Sequence, residues 1–153
     1  MTPGPSAPPA HIGNPHGYPD YTWPMVWVLQ DAELWPIEQW VAHQGVEKLW
    51  YVYWSIPMGS THDTSVYTVP ANKKLYLCHF APSGQGKGQH MLYTATPTLY
   101  LKNAWLQAYA SIDFPITPPV VLPAGCNLRL YQANWEGVES SFISTIQAYE
   151  LDV

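Results

Sequence analysis

The chain has 153 residues, enough for one domain that buries about two-thirds of its unfolded surface. Its net charge is −5, with only 11% charged residues against 14% aromatics. So few lysines and arginines exclude a clustered phosphate-binding surface and thus nucleic acid, and they disfavour an anionic membrane surface. No apolar run approaches the roughly 20 residues of a spanning helix.

The first residues carry neither a basic n-region nor an apolar h-region, so no secretory leader is expected there. Cys78 and Cys126 do not make a disulfide framework and are expected as free thiols, consistent with a reducing cytoplasm. Low charge combined with many aromatics suits a surface hidden against partners, because solubility normally rests on charge.

Residues 1–24 hold seven of the sixteen prolines and are expected to form an extended, polyproline-like arm. The first lysine or arginine is Lys48, so this arm has no Lys or Arg charge with which to grip nucleic acid. Residues 25–47 read as a Trp-rich connecting segment. Within it, 25–30 can form a short strand, and a helix of about two turns is predicted near 34–44. Pro36 suits its first turn, Ile37, Trp40 and Val41 share a face, and Gly45 can close it. Six of the eight tryptophans lie between Trp23 and Trp54. A hydrophobic core or subunit contact is the preferred reading of that strip over a sugar-stacking platform. Tyr18, Tyr21, Trp23, Trp27, Trp35 and Trp40 are the candidate partner-binding residues.

From residue 48 to 153 the pattern is β. The dense run 49–56 ends at Pro57-Met58-Gly59, and a short strand over 64–69 follows. Val69-Pro70-Ala71-Asn72-Lys73-Lys74-Leu75-Tyr76-Leu77 then returns as Leu122-Pro123-Ala124-Gly125-Cys126-Asn127-Leu128-Arg129-Leu130. In each copy proline presets a turn, Asn or Gly tolerates a left-handed backbone, and Leu-x-Leu sets the period of a strand with one buried face. These are predicted to be two equivalent corners of one scaffold. Residues 82–89 read as a flexible loop, 90–94 and 99–102 as a hairpin across Pro97, and 105–112 as a further paired strand. Residues 114–119 read as loop or edge, and 140–150 as the last strand. Eight or nine short strands without alternating helices predict an all-β, two-sheet antiparallel sandwich. A jelly roll is the first choice and an immunoglobulin-like sandwich the second.

No catalytic constellation is visible, no cofactor is expected, and the chain reads as a non-enzyme. His62, Asp63, His79 and His90 are the residues to weigh for a metal. His62 and Asp63 are neighbours and point to opposite faces, while His79 is in phase with Leu75 and Leu77 and could point inward. A satisfied core histidine is the preferred reading over a ligand, and no metal site is assigned. Gly84-x-Gly86-Lys87-Gly88 lacks phosphate-loop spacing.

The segment from about Val66 onward, carried by the two turn-strand units and the closing strand Ser144-Thr145-Ile146-Gln147-Ala148-Tyr149-Glu150, resembles small bacteriophage virion proteins of jelly-roll or related β-sandwich type. The resemblance implies a virion location, a homo-oligomer with a trimer favoured, and a major capsid or other virion protein as partner. Capsid decoration is the first role it implies, with the arm bridging to a neighbour. A carbohydrate- or receptor-binding module of a tail or fibre is the alternative, and a cupin-like metal enzyme using His79 and His90 is less favoured.

Overall fold

The computed structural model describes residues 27–30 and 33–153. Tyr18, Tyr21 and Trp23 lie outside them, as does the Pro-rich stretch. The described chain opens with a hairpin of β1 (Trp27–Gln30) and β2 (Glu33–Pro36) and continues as α1 (Ile37–Gln44). Eight strands follow: β3 (Val46–Ile56), β4 (Thr61–Thr68), β5 (Lys73–Gly84), β6 (Gly88–Ala95), β7 (Thr98–Leu106), β8 (Phe114–Leu122), β9 (Asn127–Asn134) and β10 (Ser140–Asp152). The helix starts later than its apolar pattern predicts. Pro36 is extended (φ −56°, ψ 135°) and ends β2, so it caps the helix from outside the first turn.

The eight strands form two four-stranded sheets, ordered β3-β10-β5-β8 and β4-β9-β6-β7, with every neighbour antiparallel. Each sheet thus interleaves early and late strands. This is the jelly roll, two Greek keys folded on each other, and not the immunoglobulin order.

Four crossings between the sheets are made by turns of one kind, each closed by a hydrogen bond from the fourth residue to the first. They are 57–60, 70–73, 107–110 and 123–126. The third residue of each is left-handed: Gly59 (φ 66°), Asn72 (φ 61°), Tyr109 (φ 59°) and Gly125 (φ 81°). Two of these corners are the Pro-Ala units, and they lie side by side. Val69 N donates to Cys126 O at 2.9 Å, and Gly125 N donates to Val69 O at 2.8 Å. Both Leu-x-Leu pairs behind them (Leu75 and Leu77, Leu128 and Leu130) are fully buried between the sheets, with Phe80, Leu92 and Ile146. At about 25 cal/mol per Å² of apolar surface, this layer is the main favourable term of the fold.

Three expectations are corrected here. His79 does not follow Leu75 and Leu77 inward, because a bulge between Leu77 and His79 inserts Cys78 and shifts the phase. Phe80 enters the core instead, and His79 is half-exposed, bonded to Asp113. Residues 82–89 are mostly strand, and only 85–87 lie between β5 and β6. The glycines there make room for Phe142, since a Cβ at Gly84 or Gly88 would lie 2.7 or 2.8 Å from its ring. Finally, β7 stops at Leu106, and beyond the turn only Ser111 pairs, as a single bridge to Ser83.

Two polar groups tie the sheets together. Asn134 Nδ2 donates to Ile56 O and Val138 O, both at 2.8 Å, and its Oδ1 accepts from Glu136 N at 2.8 Å. That gives three backbone groups a side-chain partner. His90, fully buried, shares a 3.0 Å hydrogen bond between Nδ1 and Ser144 Oγ of the opposite sheet. Its Nε2 has no protein partner among the described residues, and burial lowers its pKa to about 4. The unfolded chain binds this proton below about pH 6.5, whereas the folded chain resists it until about pH 4. Stability is therefore full above pH 6.5 and falls as pH drops through that window, at about 1.4 kcal/mol per pH unit from this residue. Urea titrations of the wild type and His90→Gln between pH 4 and 7 should show a shallower dependence in the variant. Equal slopes would contradict the assignment.

Candidate binding face

The sheet β3-β10-β5-β8 has an inner face in the core and an outer face that is only partly covered. At one end α1 lies on it, touching β8 and β10. Val41 is fully buried there, and Trp40 meets Tyr76 edge-on with ring centroids 6.2 Å apart. Beyond the helix no described residue covers the face. In β3 the even positions Trp50 and Val52 turn toward the core, so the odd positions Leu49, Tyr51 and Tyr53 point outward. They are 44%, 66% and 61% exposed. Their rung partners on β10 are Gln147, Thr145 and Ile143, which makes an aromatic and apolar strip.

The far end of the strip is a groove of about 370 Å³. Tyr53, Ile143 and Ser83 share one rung of its floor, and Tyr53 Oη lies 3.0 Å from Ser141 Oγ. The segment after β7 forms the wall. Gly84 N donates to Ala110 O at 3.3 Å, and Ile112 N donates to Pro82 O at 3.0 Å. Tyr109 stands at the rim, 84% exposed. Its left-handed backbone is one that bulky residues avoid. The matching slot in the other three corners holds Gly, Asn and Gly.

The opposite sheet presents a different surface. It carries one charge pair: Arg129 Nε donates to Asp63 Oδ1 at 3.1 Å, and Tyr93 Oη also donates to Asp63. The four sheet edges differ as well. Pro115, Pro118 and Pro119 interrupt β8, Lys102 sits on β7 and Asp63 on β4, all devices that discourage strand addition. Edge strand β3 carries no charge from Leu49 to Ile56.

The residues singled out from sequence fall as follows. Trp27 and Trp35 sit on adjacent rungs of the β1-β2 hairpin, opposite Pro36 and Val28, and Trp40 packs under α1. The hairpin contacts the helix. Tyr51, Tyr53 and Tyr109 were not singled out, although the alternation Trp50, Val52 against Tyr51, Tyr53 marks two faces. The metal candidates are dispersed. His62 stacks on Trp54 at 3.8 Å, Asp63 faces outward, His79 lies on the outer surface and His90 between the sheets. Among the described residues no three His, Cys, Asp or Glu side chains are grouped to hold a metal ion. Both thiols are free, and burial pushes Cys78 up to about 11 and raises Cys126, so neither is a thiolate near neutrality.

No family model matches the chain, and no curated protein matches it. Similar solved structures share 10–11% identity with it. One is a protein of Bacillus endospore appendages, described as a novel family of disulfide-linked pili. It has a TM-score of 0.46, covering 71% of this chain and 90% of that one. PirA has a TM-score of 0.41 and covers 65% and 92%. The virus-like particle of the extra small virus of the giant freshwater prawn Macrobrachium rosenbergii has a TM-score of 0.26 and covers 67% and 79%. Two of these three belong to assemblies, pili in one case and a virus-like particle in the other. The strand order of the chain itself, and not these resemblances, makes it a jelly roll.

Replacing Tyr109 by Gly should raise thermal stability, because the left-handed backbone costs a side-chain-bearing residue about 1 kcal/mol or more. Denaturant melts of the wild type and Tyr109→Gly test this, and a less stable variant would mean that the ring is held by packing.

Proposed function

We propose that this chain is a non-enzymatic structural protein of a virion, with decoration of a capsid as its first role, working as a homo-oligomer for which a trimer is favoured. The observation that carries the assembly reading is the exposed strip of Leu49 and Tyr51 along the uncharged stretch 49–56 of edge strand β3. A monomer that left it in water would keep apolar rings exposed beside an unguarded strand edge. Covering the strip with a second copy or a shell protein removes that cost, at about 25 cal/mol per Å² before ordering terms. The virion assignment is supported by the resemblance of the two turn-strand units and the closing strand to small phage virion proteins. The low charge suits a surface largely hidden in an assembly.

Sedimentation of the full-length chain tests the assembly reading. The wild type is expected as an oligomer, and Tyr51→Lys as a monomer with little change in melting temperature, since Tyr51 is 66% exposed. A wild type that stays monomeric at every concentration, or an oligomer indifferent to Tyr51→Lys, would overturn it.

A further inference from the structure

We infer that the groove between Tyr53 and Tyr109 binds a neutral carbohydrate. This goes beyond the assembly reading, which covers Leu49 and Tyr51 and leaves the groove end of the strip uncovered. Three observations converge.

The first is the backbone at Tyr109. The same corner turn is built four times in this chain, and in the other three its left-handed slot holds Gly59, Asn72 or Gly125. Those residue types take that conformation at low cost. A tyrosine there is strained, and its ring is 84% exposed, so burial does not repay the strain. What the turn does achieve is to stand an aromatic ring at the rim of the groove.

The second is the lining. Two tyrosine rings, Tyr53 on the floor and Tyr109 at the rim, offer flat amphipathic surfaces. Ser83, Ser111, Ser141 and Gln85 also line it, beside Phe142 and Ile143. Among the described residues no charged side chain lines the groove. Sugar rings present apolar C–H faces for stacking and a fringe of hydroxyls for hydrogen bonding, which is the complement of this lining. An anionic ligand would find no cation here, and a purely apolar one would strip water from four polar groups without replacing it.

The third is preorganisation. The wall is tied to the floor by backbone bonds from Gly84 N to Ala110 O and from Ile112 N to Pro82 O, and Gln85 N donates to Ser141 O at 2.9 Å. The groove volume of about 370 Å³ falls at the small end of ligand sites, which suits one or two sugar units. The other exposed aromatic pair at this end of the sandwich, Trp105 and Trp135, has its ring centroids 4.3 Å apart, so each ring covers the other.

The test is a printed array of neutral, sialylated and sulfated glycans probed with the full-length chain, followed by calorimetric titration with the best neutral binder. Tyr109→Asn is the informative variant, because asparagine already occupies the equivalent slot at Asn72 and should preserve the turn. The wild type is expected to bind neutral glycans. Tyr109→Asn is expected to lose about tenfold in affinity, the weight of one stacked ring, while melting no lower than the wild type. No binding to any neutral glycan, binding confined to the acidic ones, or unchanged affinity in Tyr109→Asn would each overturn the inference.

Discussion

A jelly roll must carry its chain from one sheet to the other again and again, and each tight crossing needs a reversal within a few residues. In this protein that requirement is met four times by a turn whose third residue is left-handed. Everything else in the structure hangs from those crossings. Two of them are hydrogen-bonded to each other through Val69, Gly125 and Cys126, which fixes where β5 and β9 begin. Once those starts are fixed, Leu75, Leu77, Leu128 and Leu130 face one another across the core. A one-residue slip at either corner would turn a whole set of leucines to solvent.

The same geometry decides which surfaces remain for function. The corners at one end leave room for α1 to settle over Tyr76. The corner at the other end lifts Tyr109 beside the end of β5. Between helix and turn no described residue covers the outer face of β3-β10-β5-β8, while the other sheet carries the Asp63–Arg129 pair together with exposed Leu99, Tyr100 and Trp105. The sheet edges differ in where their charges fall, since β3 carries Glu47 and Lys48 at one end and then runs without charge or proline over 49–56.

Much of this was written plainly in the sequence. The two Pro-Ala units gave the corners, because proline, alanine and an Asn or Gly in order leave few alternatives to such a turn. Leu-x-Leu gave the buried face, and the density of short strands gave the sandwich. What escaped had physical reasons. A period of two assumes an unbroken pleat, so the bulge at Cys78 sent Phe80 inward where His79 was in phase. The stretch from Pro82 to Gln89 looked like loop because of its glycines, which instead give space to the ring of Phe142. In β3 aromatics stand on both faces, so composition could not separate Trp50, which packs inward, from Tyr51, which does not. Tyr109 was silent altogether. Turns are sought by their glycines, asparagines and prolines, and a tyrosine in that slot gives no signal until the other three corners are seen beside it.

The central claim is that this chain meets its neighbour along β3 and the face beside it. Amide hydrogen exchange of the full-length protein, followed strand by strand at high concentration and after dilution, tests it most directly. The account predicts that amides of β3 exchange slowly in the concentrated sample and faster on dilution, with β4, β7 and β8 unchanged. Exchange in β3 that is indifferent to concentration, or protection that appears on β4 or β7 instead, would contradict it.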